Sequence, residues 1–140
     1  MAKSIESFSG FYYFLSNFYG CPVEYEGILY PGVEYAYQAA KTLDDEQRKD
    51  ILMSANPGVA KRRGRRVTIR EDWEEIKLDV MRELVSEKFQ NHTSLRSDLL
   101  DTEDAELVEG NHWGDTFWGM CDGVGRNHLG KILMEVRAEL

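Results

Sequence analysis

Residues 72–89 read DWEEIKLDVMRELVSEKF, and no other stretch restricts the fold as strongly. Asp72 followed three places later by Glu75 forms a capping box, in which each side chain satisfies a free amide at a helix start. Ile76, Val80 and Leu84, with Met81 and Val85 beside them, then recur at helical spacing as far as Phe89. A helix with such a stripe must bury it against other elements. The remaining pieces supply them. Residues 33–43 (VEYAYQAAKTL) favour helix through their alanines, and residues 44–53 continue as a second helical segment until Asn56-Pro57-Gly58 forces a turn. Residues 94–100 form a short helix, and residues 129–139 form a last one that buries Leu129, Ile132, Leu133 and Val136.

Strand signals are sparse. Residues 23–25 and 28–30 flank Glu26-Gly27 like a hairpin, and residues 107–109 form a further short strand. Residues 111–127 are rich in Gly, Trp and Asp, a loop long enough to suggest function. The expected architecture is mainly α with a small β element, an α+β fold. At 140 residues, with no repeat or linker, one compact domain over residues 1–140 is expected.

The net charge is −8, which argues against a chain that coats nucleic acid or an anionic membrane. The charge is uneven, however. Residues 61–70 (KRRGRRVTIR) hold six of the 17 basic residues and no acid, leaving 11 basic and 25 acidic residues elsewhere, a balance of −14. The N-terminus, MAKSIESFSG, carries no signal-peptide pattern, and no run approaches the roughly 18 apolar residues of a membrane span. A cytoplasmic protein without membrane partners is expected. Cys21 and Cys121 lie far apart and outside any CxxC pair, so no metal or redox motif is read, and no cofactor is expected.

Three constellations carry chemistry. Glu34, Gln38 and Lys41 fall at i, i+4 and i+7 and share one helical face. Such a face is either the solvated stripe of an amphipathic helix or the wall of a cleft. Tyr30, Tyr35, Tyr37 and the alanines around it favour close packing on the other sides. In a cleft, a buried Lys becomes nucleophilic as its free amine, and a nearby Glu can move protons or stabilise a cationic transition state. The basic run, with Arg66 and Arg70, is either a solvated surface or a site for phosphate oxygens, which Arg forks match. Within it Gly64 permits an unusual backbone turn, and Trp73 beyond it offers a stacking face for a base. Third, residues 109–119 (EGNHWGDTFWG), with Asn127 further on, supply the carboxylates of Glu109 and Asp115 and the flat faces of Trp113 and Trp118. Asp115 and Glu34 could flank a glycosidic bond as a carboxylate pair. Cys121 and His128 would suit a nucleophile and its base, but no motif supports them.

Seven blocks in order, LSNFY (15–19), VEYAYQAAK (33–41), GRRVTIREDWEEIKLDVM (64–81), EKF (87–89), LLDTEDAELVEGN (99–111), GDTFWG (114–119) and NHLGKILMEVR (127–137), resemble the NADAR superfamily of YbiA-like proteins over nearly the whole chain. The resemblance implies a compact, largely helical fold and an N-glycosidase. Its substrate would be ADP-ribose on guanine bases, free or within nucleic acid, or a phosphoribosylamino-pyrimidine of riboflavin synthesis. Glu34 then resembles the catalytic acid and Lys41 the amine that captures the opened ribose. Asn17, Asp115 and Trp118 look like pocket residues, joined by Gln38, Arg66, Arg70, Trp73 and Asn127 in holding the substrate. The run Trp118-Gly119-Met120-Cys121 departs from related sequences, in which a Gly commonly follows W-G-x. The length is near the family minimum, so no extra recognition domain is expected. The rival readings are a module that binds ADP-ribose or NAD without cleaving it, and a basic patch that docks protein or RNA. Oligomeric state is not legible.

Overall fold

The computed structural model describes residues 3–140. In chain order its elements are β1 (Ser4–Ile5), a 3-10 helix (Gly10–Leu15), β2 (Val23–Tyr25), β3 (Ile28–Tyr30), α1 (Val33–Ala40), α2 (Asp45–Leu52), α3 (Pro57–Gly64), α4 (Trp73–Gln90), α5 (Thr93–Leu100), β4 (Glu106–Leu107), β5 (Gly110–Asn111), β6 (Met120–Cys121) and α6 (His128–Glu139). Helix dominates, as expected. Strands pair only two by two among the described residues: β1 with β4, β2 with β3, and β5 with β6. The chain forms two packing units, one of Asn17–Lys88 and one of the residues up to Ser16 together with Phe89–Leu140.

In the unit Asn17–Lys88, β2 and β3 pair antiparallel with Val23 opposite Tyr30 and Tyr25 opposite Ile28. Glu26 and Gly27 both take positive φ, 48° and 83°, the conformation of a two-residue hairpin turn whose twist matches the strands. Val23, Tyr25 and Tyr30 point into the core. The chain then enters α1, all eight residues of which are buried, because α2, α3 and the hairpin pack around it. Its alanines Ala36, Ala39 and Ala40 are fully covered, which lets those neighbours come close.

The expected turn at Asn56-Pro57-Gly58 is instead the start of α3. Asn56 Oδ1 accepts from the Val59 N–H at 2.9 Å, and Pro57 occupies the first helical turn, where a missing N–H costs nothing. The signals that stop one segment thus start the next, and they put the basic run on a helix. Helix α4 begins one residue after Asp72 and buries Trp73, Val80, Met81, Leu84, Val85, Lys88 and Phe89. Each fully buried aliphatic on that face stabilises the packing by roughly 1.5–3 kcal/mol. The capping box does not form as read. The Asp72 carboxylate accepts instead from Arg70, at 2.7 Å from Nε and 3.2 Å from Nη2, while the Asp72 carbonyl accepts from the amides of Glu75 and Ile76.

In the other unit, β1 and β4 run parallel with Ser4 beside Glu106, and β5 and β6 run parallel with Gly110 beside Met120. The expected strand at 107–109 is therefore shifted and split, and the expected loop of residues 111–127 holds β6 within it. Helix α6 buries Leu129, Ile132, Leu133 and Val136 as the spacing required. It lies so close to β4 that a Cβ at Gly130 would overlap the Leu107 carbonyl oxygen.

Candidate active site on the buried helix

Helix α1 is the element that makes the site, because it buries the polar face on which the sequence placed Glu34, Gln38 and Lys41. Of the two readings of that face, the solvated stripe is ruled out: Glu34 is 8% exposed and Gln38 3%. The start of α1 is fixed by the LSNFY segment, whose Asn17 carbonyl accepts the Glu34 amide at 3.2 Å. The Asn17 side-chain amide turns to the Met81 sulfur, 3.5 Å away. Gln38 Nε2 donates to Glu34 Oε2 at 2.5 Å, one helical turn along. Of the Gln38 amide, which was expected to touch substrate, the N–H is taken up by Glu34.

Lys41 is the C-cap residue of α1, two turns beyond Glu34, and only part-buried. Burial pushes its ammonium below the ordinary lysine range; Glu34 pulls the other way, and Arg65, Lys61 and Lys77 reinforce the lowering. The Lys41 Nζ stands 5.7 Å from the centroid of the Tyr37 ring. Lys61 of α3 and Arg65, its C-cap residue, thus act on the same amine from positions four residues apart, and Lys77 joins them from α4. An amine whose proton affinity is lowered, a buried carboxylate and a set of cations are components that suit an anionic substrate with an electrophilic carbon.

Arg63 donates to the Asp50 carbonyl at 2.8 Å, and Arg66, like Arg65, is exposed. Arg70, expected to grip phosphate, spends its guanidinium on Asp72. Trp73, expected to stack on a base, is 5% exposed and packs its ring on Tyr37 with centroids 5.2 Å apart, so it is a core residue. Gly64, read as a turn, is helical and lies flat against the Gln38 side chain: a Cβ there would overlap Gln38 Oε1. That contact was missed. Its sequence signal was a Gly inside a helix-compatible basic run, at about 1 kcal/mol worse than Ala for the helix.

Asp115, Trp118 and Asn127 belong to the other unit. Asp115 Oδ1 accepts from the amides of Phe117 and Trp118 at 3.1 and 2.9 Å, which fixes the turn that carries Trp118. The half-buried Trp118 ring meets Phe117 edge-on at 4.8 Å. Asn127, expected to bind substrate, is a buried clasp. Its Nδ2 donates to the Leu107 carbonyl and its Oδ1 accepts from the Glu109 amide, both at 2.9 Å, from a left-handed backbone at φ 51°. A cavity of about 480 Å³ in this unit, lined by Lys3, Glu6, Tyr12, Asp101 and Asp104 among others, includes none of the expected site residues. Its carboxylates would repel a phosphate.

The NADAR domain family model matches residues 5–140. A riboflavin biosynthesis protein of Vibrio vulnificus is 44% identical over 130 residues, 91% of this chain but only 35% of that protein, so the chain spans about a third of that relative. The N-glycosidase YbiA of Escherichia coli is 41% identical over 128 residues, 89% of this chain and 79% of that one. An N-glycosidase of Nostoc punctiforme is 39% identical over 131 residues, covering 89% and 83%. The NMR structure of E. coli YbiA superposes with a TM-score of 0.87 at 38% identity, over 99% of this chain and 86% of that one.

Proposed function

The chain belongs to the NADAR domain family, and we propose that it is an N-glycosidase whose substrate is a phosphorylated riboside. One observation carries the assignment of the site: a lysine with a lowered proton affinity caps a buried helix two turns beyond a buried glutamate. The relatives named N-glycosidase support the reaction class, and the unbroken family match supports reading the chain as one functional domain.

The chemistry follows from the two groups. The Lys41 amine, once neutral, adds to C1′ of the ribose; the C1′–O4′ bond breaks, O4′ taking the proton that the attacking nitrogen gives up, and the C1′–N bond to the base then breaks to leave the imine. Glu34 passes a proton to the departing nitrogen and offsets the positive charge that builds at C1′. The resulting lysine imine is hydrolysed by water, which supplies the oxygen of the released sugar and restores the amine. Lys61 and Arg65 are the cations we assign to the substrate phosphate, in place of Arg70, which is paired with Asp72 as Lys77 is with Glu74. The negative balance of the rest of the chain favours a short phosphorylated riboside over a long polymer. No helix among the described residues is long and apolar enough to cross a membrane.

Two substrate classes fit this chemistry, ADP-ribose on guanine and a phosphoribosylamino-pyrimidine. Incubating the protein in parallel with ADP-ribosylated guanosine and with the pyrimidine riboside, and reading released base by mass spectrometry, tests the proposal. Release from one arm is expected and names the class. Tight binding of ADP-ribose with no release from either arm would replace the reading with a binding module.

A further inference from the structure

Three side-chain atoms among the described residues are buried without a hydrogen-bond partner: Tyr30 Oη, Arg48 Nη2 and Gln38 Oε1. Leaving such a group unsatisfied costs about 1–3 kcal/mol. Of the three, only Gln38 sits on the catalytic face of α1, and the other end of the same amide holds Glu34 Oε2. The reason its oxygen lacks a partner is Gly64, which α3 presses flat against it. Any side chain at position 64 would displace the amide, so two unfavourable choices, a helical glycine and an unpaired carbonyl, occur at one contact.

We propose that Gln38 and Gly64 are positioning residues for Glu34: α3 meets α1 at Gly64 closely enough to lock the Gln38 amide, and the locked N–H fixes the Glu34 carboxylate. This rests on the reading of Glu34 as the group that works on the departing base. A carboxylate oxygen accepts that N–H, so the contact fixes the orientation of Glu34 and favours its carboxylate, the form left once its proton has passed to the base. A glutamate at position 38 would set two acids side by side, and a leucine would offer no donor. The close approach also seats Lys61 and Arg65, three residues before and one after Gly64, beside α1. One glycine therefore sets both the carboxylate and the cations.

The test is a double-mutant cycle of Gly64→Ala and Gln38→Ala, run on whichever riboside the native protein cleaves, together with a carbon-13 carboxyl titration of Glu34. Each single change is expected to lower kcat roughly tenfold or more with KM little altered. The double variant is expected to be no worse than Gln38→Ala, since the two nearest atoms to the added methyl, Gln38 Oε1 and Cδ, are then gone and the residue 38 Cβ lies at 3.0 Å. In both single variants the Glu34 titration midpoint is expected to move up, as the donor is lost. The other charges acting on this face, Lys41 on α1, Lys61 and Arg65 at α3 and Lys77 on α4, are the same in all four proteins. Losses that multiply in the double variant, or an unmoved midpoint, would overturn the proposal. If the native protein cleaves neither riboside while the midpoint still moves, the coupling stands and the N-glycosidase reading falls. Should Gly64→Ala not fold, recovery of folding in the double variant would establish the clash, and the Gln38→Ala titration would decide the role of the amide.

Discussion

The Arg70 amide donates to the Lys41 carbonyl at 2.8 Å, tying the end of the basic segment to the end of α1 while the Arg70 guanidinium turns away to Asp72. Position in the segment thus does not decide which way an arginine side chain turns.

Arg65→Ala is expected to raise KM roughly tenfold, the equivalent of one charge-assisted hydrogen bond, and Lys61→Ala to act in the same direction. Arg70→Ala is expected to leave KM unchanged and to cost at most about 1 kcal/mol of stability, since the pair with Asp72 is partly solvated. Steady-state kinetics on the three variants check this. A KM effect confined to Arg70→Ala would return the phosphate to that residue.

Glu34→Gln keeps the shape of the side chain and removes its proton chemistry. A loss of kcat of about a hundredfold or more is expected, with ligand binding largely intact by calorimetry. Native turnover in this variant would remove Glu34 from the mechanism.

Lys41 should act only as its free amine. Because burial lowers its proton affinity, the rate of the covalent step is expected to rise with pH through a midpoint below that of an ordinary lysine. Borohydride added during turnover is expected to fix the sugar to Lys41, located by peptide mass spectrometry. A label on Lys61 or Lys77 instead would reassign the nucleophile.

Asn127 closes two buried hydrogen bonds from a left-handed backbone. Asn127→Ala is expected to cost about 2–4 kcal/mol, measured by denaturant unfolding, through the lost bonds and the backbone strain. KM of the folded fraction should be native. A raised KM with undiminished stability would make Asn127 a substrate contact after all.

Lys88 is 1% exposed, its ammonium 5.5 Å from the Tyr19 ring centroid, and burial lowers it from 10.5 to about 8, with Cys21 opposing. Below pH 8 the amine is charged in both the folded and unfolded states, and the full cost of burying it is present. Between about 8 and 10.5 the unfolded chain binds more protons, so the stability contributed at this position rises with pH by about 3 kcal/mol. Cys21, which burial raises and the Lys88 charge lowers, pushes the other way above its ordinary value, so the comparison is made on a Cys21→Ser background. Unfolding curves of that background with and without Lys88→Met at pH 7.5 and 10 are expected to converge by most of that amount. Parallel curves would show that Lys88 is solvated.

The hairpin, α2, α4, α5 and α6 were legible within a few residues, because turn residues, caps and apolar spacing are local properties of the chain. The shared face of Glu34, Gln38 and Lys41 was legible too, since helical spacing alone determines it. Its burial was not. Whether a polar face is wet depends on what other elements lay over it, and α3 was read as a turn because Asn56-Pro57-Gly58 serves equally to stop a helix and to start one.

The sequence by itself therefore determined which groups are available: a carboxylate, an amide and an amine on one side of a helix, and a cluster of cations within ten residues. Only the tertiary structure decided their states. Removing Lys41 from water lowers its hold on a proton, the approach of Gly64 locks Gln38 onto Glu34, and Asp72 takes up the Arg70 guanidinium. Each depends on desolvation or on a contact between segments distant in the chain, and distance along the sequence carries no record of either.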